Sequence, residues 1–102
     1  MPKLETLQEF VASSPDEPLP RYALGMELRN LGRAEEAVAT FRELVRRQPG
    51  YVATYLMLGQ TLIGLGRTDE ARAALGAGLE AARKAGNRHA ASELQEALDS
   101  LE

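Results

Sequence analysis

Apolar residues recur along this chain at the spacing of a helix face. Leu24, Leu28 and Leu31 are separated by four and three positions, and Leu58, Leu62 and Leu65 repeat that spacing further on. Ala37, Phe41, Leu44 and Val45 form a third stripe, and Leu4, Leu7, Phe10 and Val11 a fourth. Gly32 and Gly66 directly follow the first two stripes, and glycine accepts the left-handed dihedral that ends a helix. Each is followed by Arg and then an acidic pair, Glu35-Glu36 or Asp69-Glu70, which suits the positive end of a new helix. Pro15 and Pro49-Gly50 mark longer turns. The pattern predicts an all-α chain of six helices, over 3–13, 19–31, 34–47, 53–65, 68–84 and 88–101, with no strand. Gly76 and Gly78 fall inside the fifth, where each costs about 1 kcal/mol relative to Ala. Close approach of a neighbouring helix, or fraying, would account for them.

The stripes belong to a repeat. Sliding the chain by 34 residues puts Leu24 on Leu58, Gly25 on Gly59 and Leu28 on Leu62. It also puts Leu31-Gly32-Arg33 on Leu65-Gly66-Arg67 and Glu36-Ala37-x-Ala39 on Glu70-Ala71-x-Ala73, nine identities in all, gathered at apolar and glycine positions. Backwards, Leu4, Leu7, Phe10 and Val11 fall under Val38, Phe41, Leu44 and Val45, and Pro15 under Pro49. Forwards, an offset of 36 places Leu94, Leu98 and Leu101 under Leu58, Leu62 and Leu65, which predicts two extra residues in a turn around Ala85–Arg88. One domain follows, divided into an N-terminal half-repeat (1–17), two full repeats (18–51 and 52–87) and a C-terminal capping helix (88–102).

The first full copy reads Arg21-x2-Leu24-Gly25-x2-Leu28…Ala37-x3-Phe41…Pro49. The second reads Tyr55-x2-Leu58-Gly59-x2-Leu62…Ala71-x3-Leu75, with Arg83 where proline is usual. This resembles the tetratricopeptide repeat, W-x2-L-G-x2-Y…A-x3-F…P, in a short bacterial-type form. The helix-start Trp and Tyr are mostly replaced, but the small residues Gly25, Ala37, Gly59 and Ala71, which let paired helices touch, are present. The resemblance implies a short right-handed α-solenoid of antiparallel helix pairs. Such a stack holds together through neighbouring units and needs polar outer faces at its ends. The last helix suits that role, with Ala91, Leu94, Leu98 and Leu101 inward and Glu93, Gln95, Glu96 and Asp99 in water. The first helix is less well provided; its stripe must cover the first full repeat or meet another chain.

Composition narrows the chemistry. The 102 residues include no Cys, no Trp and one His, so thiol chemistry, disulfides and multi-His metal centres are excluded. Twelve basic against fifteen acidic residues leave −3, which argues against bulk attraction to nucleic acid. No apolar run approaches the ~20 residues of a membrane span. The expectation is a soluble, cytoplasmic domain without cofactor. His89 reads as a surface histidine at a helix start, and Glu35-Glu36 and Asp69-Glu70 recur with the fold period, so they read as helix-start acids rather than a catalytic dyad. Gly64-x-Gly66 lies between helices rather than after a strand, which does not suit a nucleotide loop. Arg42, Arg46 and Arg47, with Glu43 interleaved, read as a solvated face. Catalysis is not expected.

The resemblance points instead to binding, because the first helix of each tetratricopeptide pair lines a concave groove for peptides or partner helices. The residues it implies here are Tyr22, Met26, Arg29 and Asn30, then Leu56, Met57, Gln60 and Ile63, with His89, Ser92, Glu93 and Glu96 as a third wall. Chaperone-binding members clamp a C-terminal carboxylate with Lys, Arg and Asn. Tyr22, Met26, Met57 and Glu93 stand at those places, so the clamp is absent and an acidic wall would repel a carboxylate. The middle of the groove is apolar, and methionines adapt to varied helices. Two readings of Tyr22, Met26, Leu56, Met57 and Ile63 stay open: partial burial by solenoid curvature, or an exposed interface. The expected function is a non-enzymatic adaptor for a protein or peptide, with Tyr22, Met26, Arg29, Leu56, Met57, Gln60 and Ile63 as its binding residues and Arg29 selecting an acidic flank. The alternative is self-association through the same apolar surfaces.

Overall fold

A computed structural model describes residues 3–101 of the chain. Met1, Pro2 and Glu102, the outermost positions of the expected half-repeat and cap, lie outside the described residues. Among the described residues there are six helices and no strand: α1 (Lys3–Ser13), α2 (Pro18–Asn30), α3 (Ala34–Arg47), α4 (Ala53–Gly64), α5 (Thr68–Ala85) and α6 (Arg88–Asp99).

Glycine ends α2 and α4 in the way the sequence requires. Gly32 and Gly66 have φ of 78° and 75°, a region that side chains with a Cβ rarely enter. Their N–H groups donate to the carbonyls of Arg29 and Ile63, at 3.1 and 2.9 Å. The next N–H groups, of Arg33 and Arg67, donate back to Leu28 and Leu62 at 2.9 Å. The last carbonyls of each helix are thereby satisfied, and the chain reverses into α3 or α5 within three residues.

The end of α5 departs from the expected helix end at 84 and the expected longer turn. Pro49 lies just past the end of α3, whereas Arg83 occupies the corresponding place in α5. Arginine keeps its N–H and has no ring to clash with the preceding turn, so the helix runs on to Ala85. The connection to α6 is only Gly86-Asn87, and the Asn87 side chain accepts from the Ala90 N–H to cap α6. The extra residues therefore lengthen the helix rather than the turn.

Each helix packs on its chain neighbours. In addition, the backbones of α2 and α4 and of α4 and α6 come close, while among the described residues α3 and α5 meet only through side chains, as in the Arg42–Glu70 ion pair. The first helices of the pairs thus form a close inner layer, and the second helices a spread outer one. Close pairing rests on glycine: a Cβ on Gly59 would lie 2.5 Å from Leu75 Cδ2, and one on Gly25 would lie 2.8 Å from Phe41 Cδ1. Ala37 and Ala71 are fully buried beside them. Two core clusters result. Leu28, Val38, Phe41, Leu58 and Leu62 join α2, α3 and α4, and Tyr55, Leu75, Leu79, Ala82 and Leu94 join α4, α5 and α6.

The two ends differ. On α6, Leu94 is 1% exposed, while Gln95 stands at the offset of 36 from Gly59. A further second helix would meet a side chain there, where α3 and α5 meet none. At the other end no residue of α1 is buried, and Phe10 is 55% exposed. The turn after α1 is nonetheless tied down: Arg47 Nη1 and Gln48 Nε2 of the α3 end donate to the carbonyls of Pro15 and Asp16, at 3.3 and 2.8 Å.

Candidate partner-binding groove

The inner layer of α2, α4 and α6 carries a trough made of two adjoining cavities. The first, of about 280 Å³, is lined by Tyr22 of α2, by Ala53, Leu56 and Met57 of α4 with Val52 ahead of them, and by Asn87, His89, Ala90, Glu93 and Leu94. The second, of about 350 Å³, is lined by Leu56, Gln60 and Ile63 on one side and Glu93, Glu96, Ala97 and Ser100 on the other. Leu56 and Glu93 belong to both, so they mark the point where the cavities meet.

Of the seven expected binding residues, Tyr22, Leu56, Met57, Gln60 and Ile63 line this trough. Met26 and Arg29 do not. Met26 is half-buried against the first core cluster. Arg29 Nη1 donates to Met57 Sδ at 3.5 Å, and so covers Met57 from the α2 side. Asn30 is exposed at the end of α2 and lines neither cavity. On the third wall, His89, Glu93 and Glu96 line the trough and Ser92 does not. Besides Val52, Ala53, Asn87 and Ser100, the residues missed from the sequence are Ala90, Leu94 and Ala97 on α6. Together with Glu93 they follow the i, i+3, i+4, i+7 spacing of one α6 face, a signal that could have found them.

Curvature buries part of the expected apolar patch. Met57 is half-buried and packs on the first cluster, whereas Ile63 is 37% exposed. The Tyr22 ring packs tilted against Phe41 and edge-to-face with Tyr51, with centroids 6.1 and 5.9 Å away. Burial pushes the Tyr22 phenol up from its ordinary value, Tyr51 adds to this and Arg29 opposes it. The floor is therefore uncharged. The His89 side chain is 88% exposed with Nε2 3.4 Å from Glu93 Oε1, which leaves it on the rim.

The groups that could have signalled chemistry are engaged otherwise. Glu35 and Glu70 pair with Arg67, Glu36 pairs with Arg33, and Asp69 pairs with Arg72. Arg42 meets Glu70, while Arg46 and Arg47 share Glu43, so each arginine of that α3 edge already has a carboxylate partner. Among the described residues, no group of three or more His, Asp or Glu is placed to hold a metal, and no helix is long and apolar enough to cross a membrane.

A family model for the tetratricopeptide repeat matches residues 28–98. The chain belongs to the tetratricopeptide-repeat family. A tetratricopeptide repeat domain protein from Salinibacter ruber is 42% identical; its solution structure covers 86% of this chain and 89% of its own, with a TM-score of 0.82. A protein from Bordetella parapertussis is 31% identical, covering 99% of this chain and 88% of its own at a TM-score of 0.83. The TPR2B domain of yeast Sti1, solved in a complex with pHsp70, is 17% identical and shares the fold at a TM-score of 0.89, over 96% of this chain and 78% of its own. None of the curated proteins matches the chain. The tetratricopeptide fold is a protein-interaction module, and the family is in general non-enzymatic.

Proposed function

We propose that this tetratricopeptide domain is a non-enzymatic adaptor that seats a peptide or amphipathic helix of another protein in the trough between α2, α4 and α6. The observation that carries the reading is the apolar floor of the first cavity, where the half-buried Tyr22, Leu56 and Met57 lie beside the buried Leu94. A helix bound there would place anchors at every third or fourth position along α4, from Met57 and Leu56 towards Gln60 and Ile63. Arg29, beside Met57 on the α2 side, would favour an acidic residue at that flank. In this reading residues 1–17 are a half-repeat, 18–51 and 52–87 the working repeats, and 88–102 both cap and third wall.

Partner capture from the source cell tests it, with wild type compared with Met57→Glu and Ile63→Glu. Ile63 is exposed, so its variant should fold as the wild type does, which circular dichroism checks. Loss of the same partners from both variants is the expected result. Identical partner sets for all three proteins remove the groove from consideration.

Self-association is the second reading, favoured by Phe10 and Leu19, which are 55% and 63% exposed at the N-terminal end. A second copy could cover them. Light scattering at two concentrations decides: one monomer mass throughout disposes of it.

A further inference from the structure

Among the described residues, the acids without an arginine or lysine partner are Glu5, Glu9, Glu17 and Asp99, away from the trough, and Glu93 and Glu96 on its wall. Every Asp and Glu of α3 and α5, the outer helices of the full repeats, has an arginine within 3.1 Å. The two acids on the trough wall have none. Glu93 meets only His89, a partner that is charged only when protonated. Glu96 has no cationic partner among the described residues. Glu93 stands where the two cavities join, beside the apolar floor of the first, and Glu96 stands beside Ile63 and Gln60 in the second.

We propose that the groove is built for a basic amphipathic segment, which sets an apolar side chain on Leu56 and Met57 and a Lys or Arg against Glu93 and Glu96. The proposal rests on the reading of the trough as the binding surface, and adds the chemistry of the occupant. Two carboxylates three positions apart on one helix repel each other, so in the free chain they are a cost to α6. A cation laid between them removes that repulsion. Both carboxylates are exposed, Glu93 with 48% of its side chain, so the attraction is that of a surface ion pair and is sensitive to salt. The net charge of −3 draws a basic segment in at long range and turns an acidic one away. Arg29 lies behind Met57 and not on the trough, so the charge that lines the groove is that of Glu93 and Glu96 on the α6 side. A neutral apolar helix would leave both acids facing its side chains without a partner, at a cost that a basic one avoids.

The experiment is selection from a random-peptide library on the full chain, followed by binding of the selected peptides to Glu93→Gln/Glu96→Gln, Met57→Glu and Ile63→Glu. The expected peptides carry Lys or Arg three or four positions from a large apolar residue. They should bind about tenfold more weakly to the Glu93→Gln/Glu96→Gln chain and weaken as salt rises through the range that screens surface charge, about 0.05–0.5 M. Selection on Glu93→Lys/Glu96→Lys should exchange the basic residues for acidic ones. Peptides that fail on Met57→Glu and Ile63→Glu but show no basic preference, and ignore the Gln variant, overturn this inference and leave the groove standing. Peptides indifferent to Met57→Glu and Ile63→Glu, or no enrichment at all, overturn the groove and the inference together.

Discussion

Arg21 and Tyr55 make the same hydrogen bond one repeat apart. Arg21 Nη1 donates to the carbonyl of Pro15 at 2.8 Å, and Tyr55 Oη donates to that of Pro49 at 2.5 Å, each six residues upstream. Both side chains are buried, at 7% and 4% exposure, so each fills the seat at the start of an inner helix and ties down the turn before it. Tyr55→Phe keeps the ring and removes the donor. Because Pro49 is exposed and its carbonyl can turn to water, the expected loss is that of an ordinary hydrogen bond, about 0.5–1.5 kcal/mol. Urea unfolding of the two proteins measures it, and equal midpoints would show that the bond contributes nothing.

This pair also shows what the sequence reveals and what it hides. The 34-residue register is legible because nothing larger than Gly25 and Gly59 fits against Phe41 and Leu75, and because Ala37 and Ala71 are fully buried. Helix ends at Gly32 and Gly66 are legible for the same reason, since the backbone there demands φ above zero. Arg21 and Tyr55 look unrelated as letters, because what is shared is a donor at the end of a long side chain. The groove was legible on α4, where Leu56, Met57, Gln60 and Ile63 follow the packing stripe. On α2 it was legible only at Tyr22, because Met26 packs on the first core cluster and Arg29 lies on Met57. Periodicity gives the face of a helix but not how far its neighbour leans over it.

Gly76 and Gly78 are two residues apart in α5 and should respond oppositely to alanine. A Cβ on Gly78 would fall 2.9 Å from Tyr55 Cγ and 3.0 Å from Leu94 Cδ2, both buried and unable to yield. Around Gly76 nothing lies within 4 Å. Gly78→Ala is expected to destabilise by about 1–3 kcal/mol through overpacking. Gly76→Ala should stabilise by about 0.5–1 kcal/mol, because it removes only the helix cost of glycine. Thermal melts separate the two, and a stabilised Gly78→Ala would refute the close approach of α4 and α5. Close packing thus explains Gly78; nothing in the structure explains Gly76.

Acid should loosen the fold through Glu43 and Glu70. Hydrogen bonds from Arg46 and Arg47 hold the Glu43 carboxyl down at about 2, and those from Arg67 and Arg42 hold Glu70 at about 2. A carboxylate whose folded value is depressed contributes above its unfolded value, about 4.3, and loses that contribution as pH falls towards the folded one. The melting temperature should therefore fall between about pH 4.5 and 2. Both groups sit at the surface, so high salt should shrink the effect. In Glu43→Gln/Glu70→Gln the fall over that window should be shallower; an unchanged acid slope would mean that these pairs do not support the fold.

Met57 is the residue at which fold and binding meet. Its side chain is half-buried against the first core cluster, its sulfur takes an N–H from Arg29, and its remaining surface lines the first cavity. Truncation to alanine removes part of a core contact, so some stability goes with it. A fully buried Met→Ala costs about 2–5 kcal/mol, and half burial places Met57→Ala near 1–2 kcal/mol. Gly25→Leu is the reference for a pure packing defect: it drives a whole side chain into Phe41, which has no exposure and whose ring is already held by Tyr22. Its melt should therefore be damaged clearly more than that of Met57→Ala. Peptide binding should show the reverse order of specificity. Met57→Ala, measured well below its melting temperature, should weaken binding at the first cavity while the far-ultraviolet spectrum stays that of the wild type. If Met57→Ala melts as low as Gly25→Leu, Met57 belongs to the core and not to the trough, and the apolar floor narrows to Tyr22, Leu56 and Leu94.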